Sequence, residues 1–166
     1  KLTLSEIYKE IHHIIADVIY VKNIAIFLYD QDTELITFDY FIDEKDQVAA
    51  LGEKLPIGEG ISSYVINRKK PGIYTGEGLK TLERKGDITK LHGTLSTSWM
   101  GCPIVNDDET IGIIILQSYS EDEIYDENDL QLLSFVADNL AIVLQQRQYM
   151  NKEVEGKLAL KNSLKQ

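Results

Sequence analysis

The sequence predicts an α+β fold, with a central antiparallel sheet, N- and C-terminal helices packed on one face, and a loop and short-helix flap over the other. Three observations carry this expectation. Ile111-Gly112-Ile113-Ile114-Ile115-Leu116 is apolar without alternation, so that strand is covered on both faces and sits mid-sheet between two layers. The apolar runs 99–105 and 111–117 are separated by Asn106-Asp107-Asp108-Glu109, and 24–29 and 35–42 by Asp30-Gln31-Asp32-Thr33-Glu34, which reads as two β-hairpins. Both ends of the chain carry apolar residues at spacings of three and four, the mark of amphipathic helices.

Residues 4–21 form the first helix, with Leu4, Ile7, Ile11, Ile14, Ile15, Val18 and Ile19 on its apolar side. Thr3 or Ser5 caps it, with Glu6 in the first turn. His12 and His13 are adjacent, so on a helix they point about 100° apart and do not chelate one metal ion. They read as surface or interface histidines. In strand 35–42, period-two alternation places Ile36, Phe38 and Tyr40 on one face, and Leu35, Thr37, Asp39 and Phe41 on the other. A charged loop follows at 43–46.

Gly58-Glu59-Gly60 precedes a short helix at 61–67. Glu59 between the glycines and the lack of a following Lys-Ser/Thr pair break the phosphate-loop pattern, leaving a turn and helix start. Residues 72–75 read as a short edge strand. Residues 76–94 are a long polar segment holding Leu79, Leu82, Ile88 and Leu91. Connections of that length act as lids or binding segments, and the sparse leucines predict a partly helical flap over the sheet. The last helix starts with Tyr125-Asp126-Glu127-Asn128-Asp129-Leu130, with acidic residues in its first turn, and Leu130, Leu133, Ala137, Leu140 and Leu144 lie on one stripe, with Val136 and Val143 beside it. It runs on through Arg147, Met150, Val154 and Leu158, a thinner seam that predicts pairing with a second copy through Leu140, Val143, Arg147, Met150 and Val154. Gly156 weakens it by about 1 kcal/mol. The expected division is a sensory domain at 1–146 and a helical linker at 147–166. The start at Lys1 and the helical end at Gln166 predict a segment of a longer protein, with an output domain beyond the linker.

Composition narrows the function. At 166 residues the chain holds one domain with a real core. Seventeen Lys and Arg against 27 Asp and Glu give a formal charge of -10. Such a surface repels phosphate backbones and anionic lipid, which argues against nucleic-acid or membrane contact. One cysteine precludes an internal disulfide and fits a reducing, cytoplasmic setting. No apolar run approaches the roughly 20 residues that span a bilayer.

Six pieces in order carry a family resemblance: Ile26-Phe27-Leu28-Tyr29-Asp30, Tyr40-Phe41-Ile42-Asp43-Glu44, Gly60-Ile61-Ser62-Ser63-Tyr64-Val65-Ile66, Ser98-Trp99-Met100-Gly101-Cys102-Pro103-Ile104, the run from Ile111 to Tyr119, and Tyr125-Asp126-Glu127-Asn128-Asp129-Leu130-Gln131-Leu132-Leu133. Over about residues 4–146 the chain resembles the GAF domain, the small-molecule-sensing relative of PAS, in one of its bacterial branches. The resemblance implies a regulatory module ahead of histidine kinase, PAS or diguanylate cyclase domains, usually a parallel dimer.

The sequence holds no His-Glu-x-x-His, no paired cysteines and no Gly-x-Ser-x-Gly turn, so an enzyme is not expected. Relatives that reduce free methionine sulfoxide need a nucleophilic and a resolving cysteine; Cys102 stands alone and reads as a core or pocket-wall residue. The sequence requires no cofactor. Bilin attachment is disfavoured because no cysteine neighbours His92. Haem would rest on His92 alone, and the dispersed cyclic-nucleotide signature is absent, leaving only a flap cluster of Lys80, Arg84, Lys85 and Lys90. Ligand pockets are mostly apolar and aromatic with a few polar groups. The candidate pocket is therefore Tyr29, Phe38, Tyr40, Tyr74 and Trp99, with Thr75, His92 and Ser98 as orienting groups. The expected function is a non-catalytic homodimeric sensor with a small molecule under the flap. The alternative is a ligand-free dimerisation spacer, its interior filled by Trp99, Tyr74 and flap leucines.

Overall fold

The computed structural model describes residues 2–47 and 50–166. In chain order the elements are α1 (Leu4–Ala16), β1 (Asn23–Asp30), β2 (Leu35–Ile42), β3 (Lys54–Pro56), α2 (Ile61–Arg68), β4 (Gly72–Thr75), α3 (Gly76–Lys85), β5 (Ser98–Asn106), β6 (Glu109–Ser118) and α4 (Glu127–Leu164). Six strands form one antiparallel sheet in the order β3-β2-β1-β6-β5-β4. The apolar strand β6 lies inside the sheet, between β1 and β5, as its lack of alternation requires. Asp107 and Asp108 turn the β5–β6 hairpin with positive φ at both positions, a conformation that aspartate tolerates better than most residues.

One sheet face is covered by α1 and α4. Tyr8 and Ile15 of α1 and Leu133, Ala137, Leu140, Ala141 and Leu144 of α4 join Ile24, Ile26, Cys102, Ile104, Ile114 and Leu116 in one buried cluster. The opposite face carries a second cluster, in which Val65, Ile66 and Leu79 cover Ala25, Phe27, Ile36, Trp99, Ile113 and Ile115. Thr3 caps α1 in a reciprocal box with Glu6, and Asp126 and Asp129 do the same for α4. The first helix ends at Ala16, short of the expected residue 21, although Ile19 and Val21 remain buried as the chain returns to the sheet.

Alternation in β2 fails at one point. Ile26 pairs with Tyr40 and Phe27 with Phe38, so Asp39 is an extra residue in a β-bulge. A bulge reverses strand parity. Ile36 and Phe38 face the flap, whereas Tyr40 faces the helices and Phe41 returns to the flap side. Tyr40 is thus separated from the aromatic residues with which alternation groups it. The three-residue strand β3 is also beyond the sequence reading; it pairs with β2 at the sheet edge, where Pro56 is tolerated.

α4 spans 38 residues in one unbroken helix. Leu144 is its last buried side chain, and residues 148–166 are exposed along their whole length. Where α4 leaves the core, the Arg147 guanidinium donates to the Leu2 carbonyl. Among the described residues, no helix is long and apolar enough to cross a membrane.

Candidate functional site

The flap-side face holds a cavity of about 440 Å³, open to solvent on one side, within the ~300–1,000 Å³ range of small-molecule sites. Its floor is sheet: Ala25 and Phe27 from β1, Ile36, Phe38 and Phe41 from β2, Ile115 and Gln117 from β6, and Trp99 from β5. The strand register explains this grouping, because Phe38–Phe27–Ile113 and Phe41–Ala25–Ile115 are cross-strand ladders, and Gln117 stands opposite Trp99. Paired residues of antiparallel strands share a face. The roof is Gly60, Ile61, Ser62 and Ser63 at the start of α2, Leu79 of α3, and the flap segment Leu91–Ser96. Asp46, Gln47, Leu55 and Glu59 complete the rim.

The floor stays low because of two glycines. Gly72 and Gly101 are a cross-strand pair next to the pair Tyr74 and Trp99. A Cβ at Gly101 would overlap the Trp99 ring, and one at Gly72 would lie 2.7 Å from Tyr74 Cε2. Both aromatic side chains therefore lie along the sheet over the glycines, with ring centroids 6.1 Å apart, instead of rising to fill the space above. Gly101→Ala is expected to tilt the Trp99 indole toward the cavity and to cost about 1–3 kcal/mol as overpacking. Trp99 is the only tryptophan, so a changed emission maximum with lower thermal stability checks this. An unchanged spectrum and melting point would show that the ring does not rest on Gly101.

The flap is fastened at its far end. The Asp46 carboxylate accepts from the Thr94 amide at 3.0 Å and from the Thr94 hydroxyl at 2.7 Å. The Tyr119 hydroxyl donates to Asp43 at 2.9 Å and lies 3.2 Å from Asp46. Burial, reinforced by these acidic neighbours, pushes the Tyr119 hydroxyl pKa up, so it remains a donor. Gly93 has φ +73°, and a Cβ there would lie 2.5 Å from Asp46 Oδ2, so the closure needs glycine on both counts. At the near end, the Thr89 amide donates to the Glu59 carbonyl at 3.0 Å.

Of the residues singled out from sequence, Phe38, His92 and Trp99 line the cavity. His92 lies over Gly60, at the uncapped start of α2. Tyr29 and Tyr74 are on the same sheet face but outside the cavity. Thr75 is the cap of α3, accepting from the Gly78 amide at 3.1 Å. Ser98 points to the helix side and accepts from the Tyr125 amide at 3.1 Å. Tyr40 lies beneath α1, its hydroxyl 2.9 Å from His12 Nδ1. Cys102 is buried against α4, 3.3 Å from the Ser134 hydroxyl, and burial pushes its thiol pKa up to about 11. It is a core residue on the helix side, not a wall of the cavity. The lysines and arginine of the flap (Lys80, Arg84, Lys85, Lys90) do not line the cavity either. Among the described residues, no group of three or more His, Cys, Asp or Glu side chains is placed to hold a metal ion.

Sequence reading did not single out Phe27, Phe41, Ser96 or Gln117 for the site. Phe27 and Gln117 were accessible in principle by carrying the parity of Phe38 and Trp99 across the register. Ser96 and Gln117 meet through a hydrogen bond of 2.5 Å. On the proposed helical seam, Leu140 is buried against the sheet, Val143 and Arg147 are half-buried, and Met150 and Val154 are exposed.

Fold and cavity define a class, the single-sheet α+β domains with helices on one face and a roofed interior on the other. The GAF domain family model matches residues 1–145, and the chain belongs to that family. Among solved structures, the GAF domain of a two-component sensor histidine kinase from Bacillus halodurans matches with a TM-score of 0.68 at 12% identity, covering 91% of this chain and 99% of that one. Residues 122 to 287 of a methyl-accepting chemotaxis protein match at 0.66 and 19% identity, covering 86% and 90%. A type II free methionine-R-sulfoxide reductase from Thermoplasma acidophilum matches at 0.62 and 14% identity, covering 84% and 90%. These likenesses show a shared fold. No curated protein sequence matches the chain.

Proposed function

We propose that this GAF domain is a non-catalytic regulatory module of a cytoplasmic bacterial signalling protein, of the sensor histidine kinase or diguanylate cyclase type. It binds a small molecule beneath the flap and acts as a parallel homodimer. α4 carries the signal through residues 147–166 to a fused output domain, without nucleic-acid or membrane contact. The observation that carries this reading is the cavity itself, roofed by a segment hydrogen-bonded shut at Asp46. A spacer would have its interior filled by Trp99 and Tyr74, and these rings instead lie flat on glycines. Catalysis of the reductase type finds no support, since Cys102 is on the other side of the sheet with a raised thiol pKa. Bilin attachment finds none for the same positional reason.

A route from cavity to helix runs through the β2 bulge. Phe38 and Phe41 line the cavity, while between them Asp39 accepts from the Tyr8 hydroxyl of α1 at 2.6 Å, and Tyr40 contacts His12. A ligand that moves the two phenylalanines therefore displaces α1, and Leu2, just ahead of that helix, is held by Arg147 of α4. Such coupling requires that the ligand bind two helix arrangements with different affinity.

The first test is native mass spectrometry of gently purified protein beside a denatured sample. A dimer with extra mass that is lost on denaturation is expected. Spin labels at Gln148 of the two protomers then report the helix separation, and loading the ligand is expected to shift it. An unchanged distance distribution would remove the proposed coupling, and a clean monomer would remove the dimer on which it depends.

A further inference from the structure

Resting on the reading of the cavity as a ligand site, we propose that it selects a small organic cation, with an aromatic or alkyl body and a protonated or quaternary amine. The lining shows a charge imbalance. Its acidic members are Asp46 and Glu59, His92 is its one imidazole, and among the described residues no lysine or arginine lines the space. Glu59 is exposed at the mouth, and its side chain makes no hydrogen bond or ion pair among the described residues, so it is available to a ligand. Asp46 is held in place by Thr94 and Tyr119.

Four aromatic rings, Phe27, Phe38, Phe41 and Trp99, form much of the floor, and their π-faces attract a cation within about 6 Å. Of the nearby basic groups, Lys80 lies 3.7 Å from Glu77, the Arg84 guanidinium donates to Thr81 at 3.0 Å, and the Lys45 ammonium sits 5.1 Å from the Tyr119 ring centroid. Lys54, Lys85 and Lys90 are exposed and stand outside the lining. The uncapped start of α2 opposes this trend, because a helix N-terminus carries about half a positive elementary charge. That is smaller than the combined charge of two acidic side chains, and it orients a polar tail without reversing the sign of the site. An anion entering this space would lose water with only that partial charge to replace it, and would face two carboxylates.

The probes are nine compounds. Phenyl, indolyl and naphthyl rings each carry a 2-aminoethyl, a 2-hydroxyethyl or a carboxymethyl chain. They are titrated into ¹⁵N-labelled protein while the Gly60 and Gly93 amides and the Trp99 indole N–H are followed. The expected result is that amines move these signals and bind roughly tenfold tighter than the matched alcohols, with the carboxylates weaker still. Glu59→Gln lowers that preference toward unity, and Glu59→Lys admits the carboxylates. A carboxylate that binds as tightly as its matched amine would overturn the cation proposal and leave the cavity reading intact. If no compound of any charge moves a cavity signal of the folded protein, the cation proposal and the cavity reading fail together.

Discussion

Leu133→Ala is expected to destabilise the domain by about 3 kcal/mol, within the range of roughly 2–5 kcal/mol for leucine truncation in a core. For a chain of this size that lowers the melting temperature by about 6–12 °C. Leu133 is fully buried in the cluster that joins α4 to Met100, Cys102 and Ile104 of β5, so the lost methyl groups leave a hole where helix meets sheet. Leu160→Ala, on the same helix and off the pairing seam, supplies the contrast. That side chain is 62% exposed, and its truncation is expected to change stability by no more than about 0.5 kcal/mol. Thermal denaturation followed by circular dichroism separates the two. Equal melting temperatures for both variants would mean that the stripe around Leu133 does not anchor α4. A protein with α4 loosened at this point is also expected to lose any response at Gln148, because the sheet no longer holds the base of the helix.

The second large effect is alkaline unfolding. Burial pushes the Tyr8 and Tyr125 hydroxyl pKa values up from the ordinary 10, and the hydrogen bond to Asp39 adds to the effect at Tyr8. A group whose pKa is raised on folding contributes stability that is intact below its unfolded value. That stability is lost as pH climbs toward the folded value, because the unfolded chain then releases a proton that the folded chain retains. Each such tyrosine costs about 1.4 kcal/mol per pH unit above 10, so the pair removes close to 3 kcal/mol per unit. Against a typical total of about 5–15 kcal/mol, the lower end is exhausted roughly two units above pH 10, so cooperative unfolding is expected to set in at roughly pH 12 or above. Far-UV circular dichroism against pH gives the midpoint, and Tyr125→Phe is expected to flatten the slope by the contribution of one group. Unfolding that begins well below pH 10 would exclude these tyrosines as its cause.

The parts of the fold legible in the sequence are those where periodicity is long and one-sided. The apolar run of β6 announced burial on both faces, and the three-and-four spacing from Leu130 to Leu144 marked the side of α4 that packs on β5. The Asn/Asp cluster at 106–109 marked a hairpin turn because few other residues accept two positive φ values in succession. What escaped is local and irregular. No propensity marks Asp39 as an inserted residue, yet that one insertion moves Tyr40 away from Phe38 and brings Phe41 to the cavity. Lys54–Pro56 is too short to show a period and contains a proline. In the candidate site, Phe38, His92 and Trp99 were reachable because aromatic strands and a long flap are visible in sequence. The role of Ser98 was not, since its partner Tyr125 is brought to it only by tertiary placement, whereas Thr75 makes a local helix cap three residues from Gly78.

The unbroken course of α4 has a consequence in angles. Twenty residues beyond Leu144 extend roughly 30 Å at 1.5 Å per residue, so a tilt of about 5° at the sheet displaces the far end by about 3 Å. A shift too small to disturb the packing around Leu133 thus becomes a change comparable to a side chain at Leu164. The helix also turns about 100° per residue, and whatever is joined to it inherits that azimuth. One inserted residue would point an attached partner to a different side, while seven would restore it to within about 20°. The length of this arm therefore matters less than its phase.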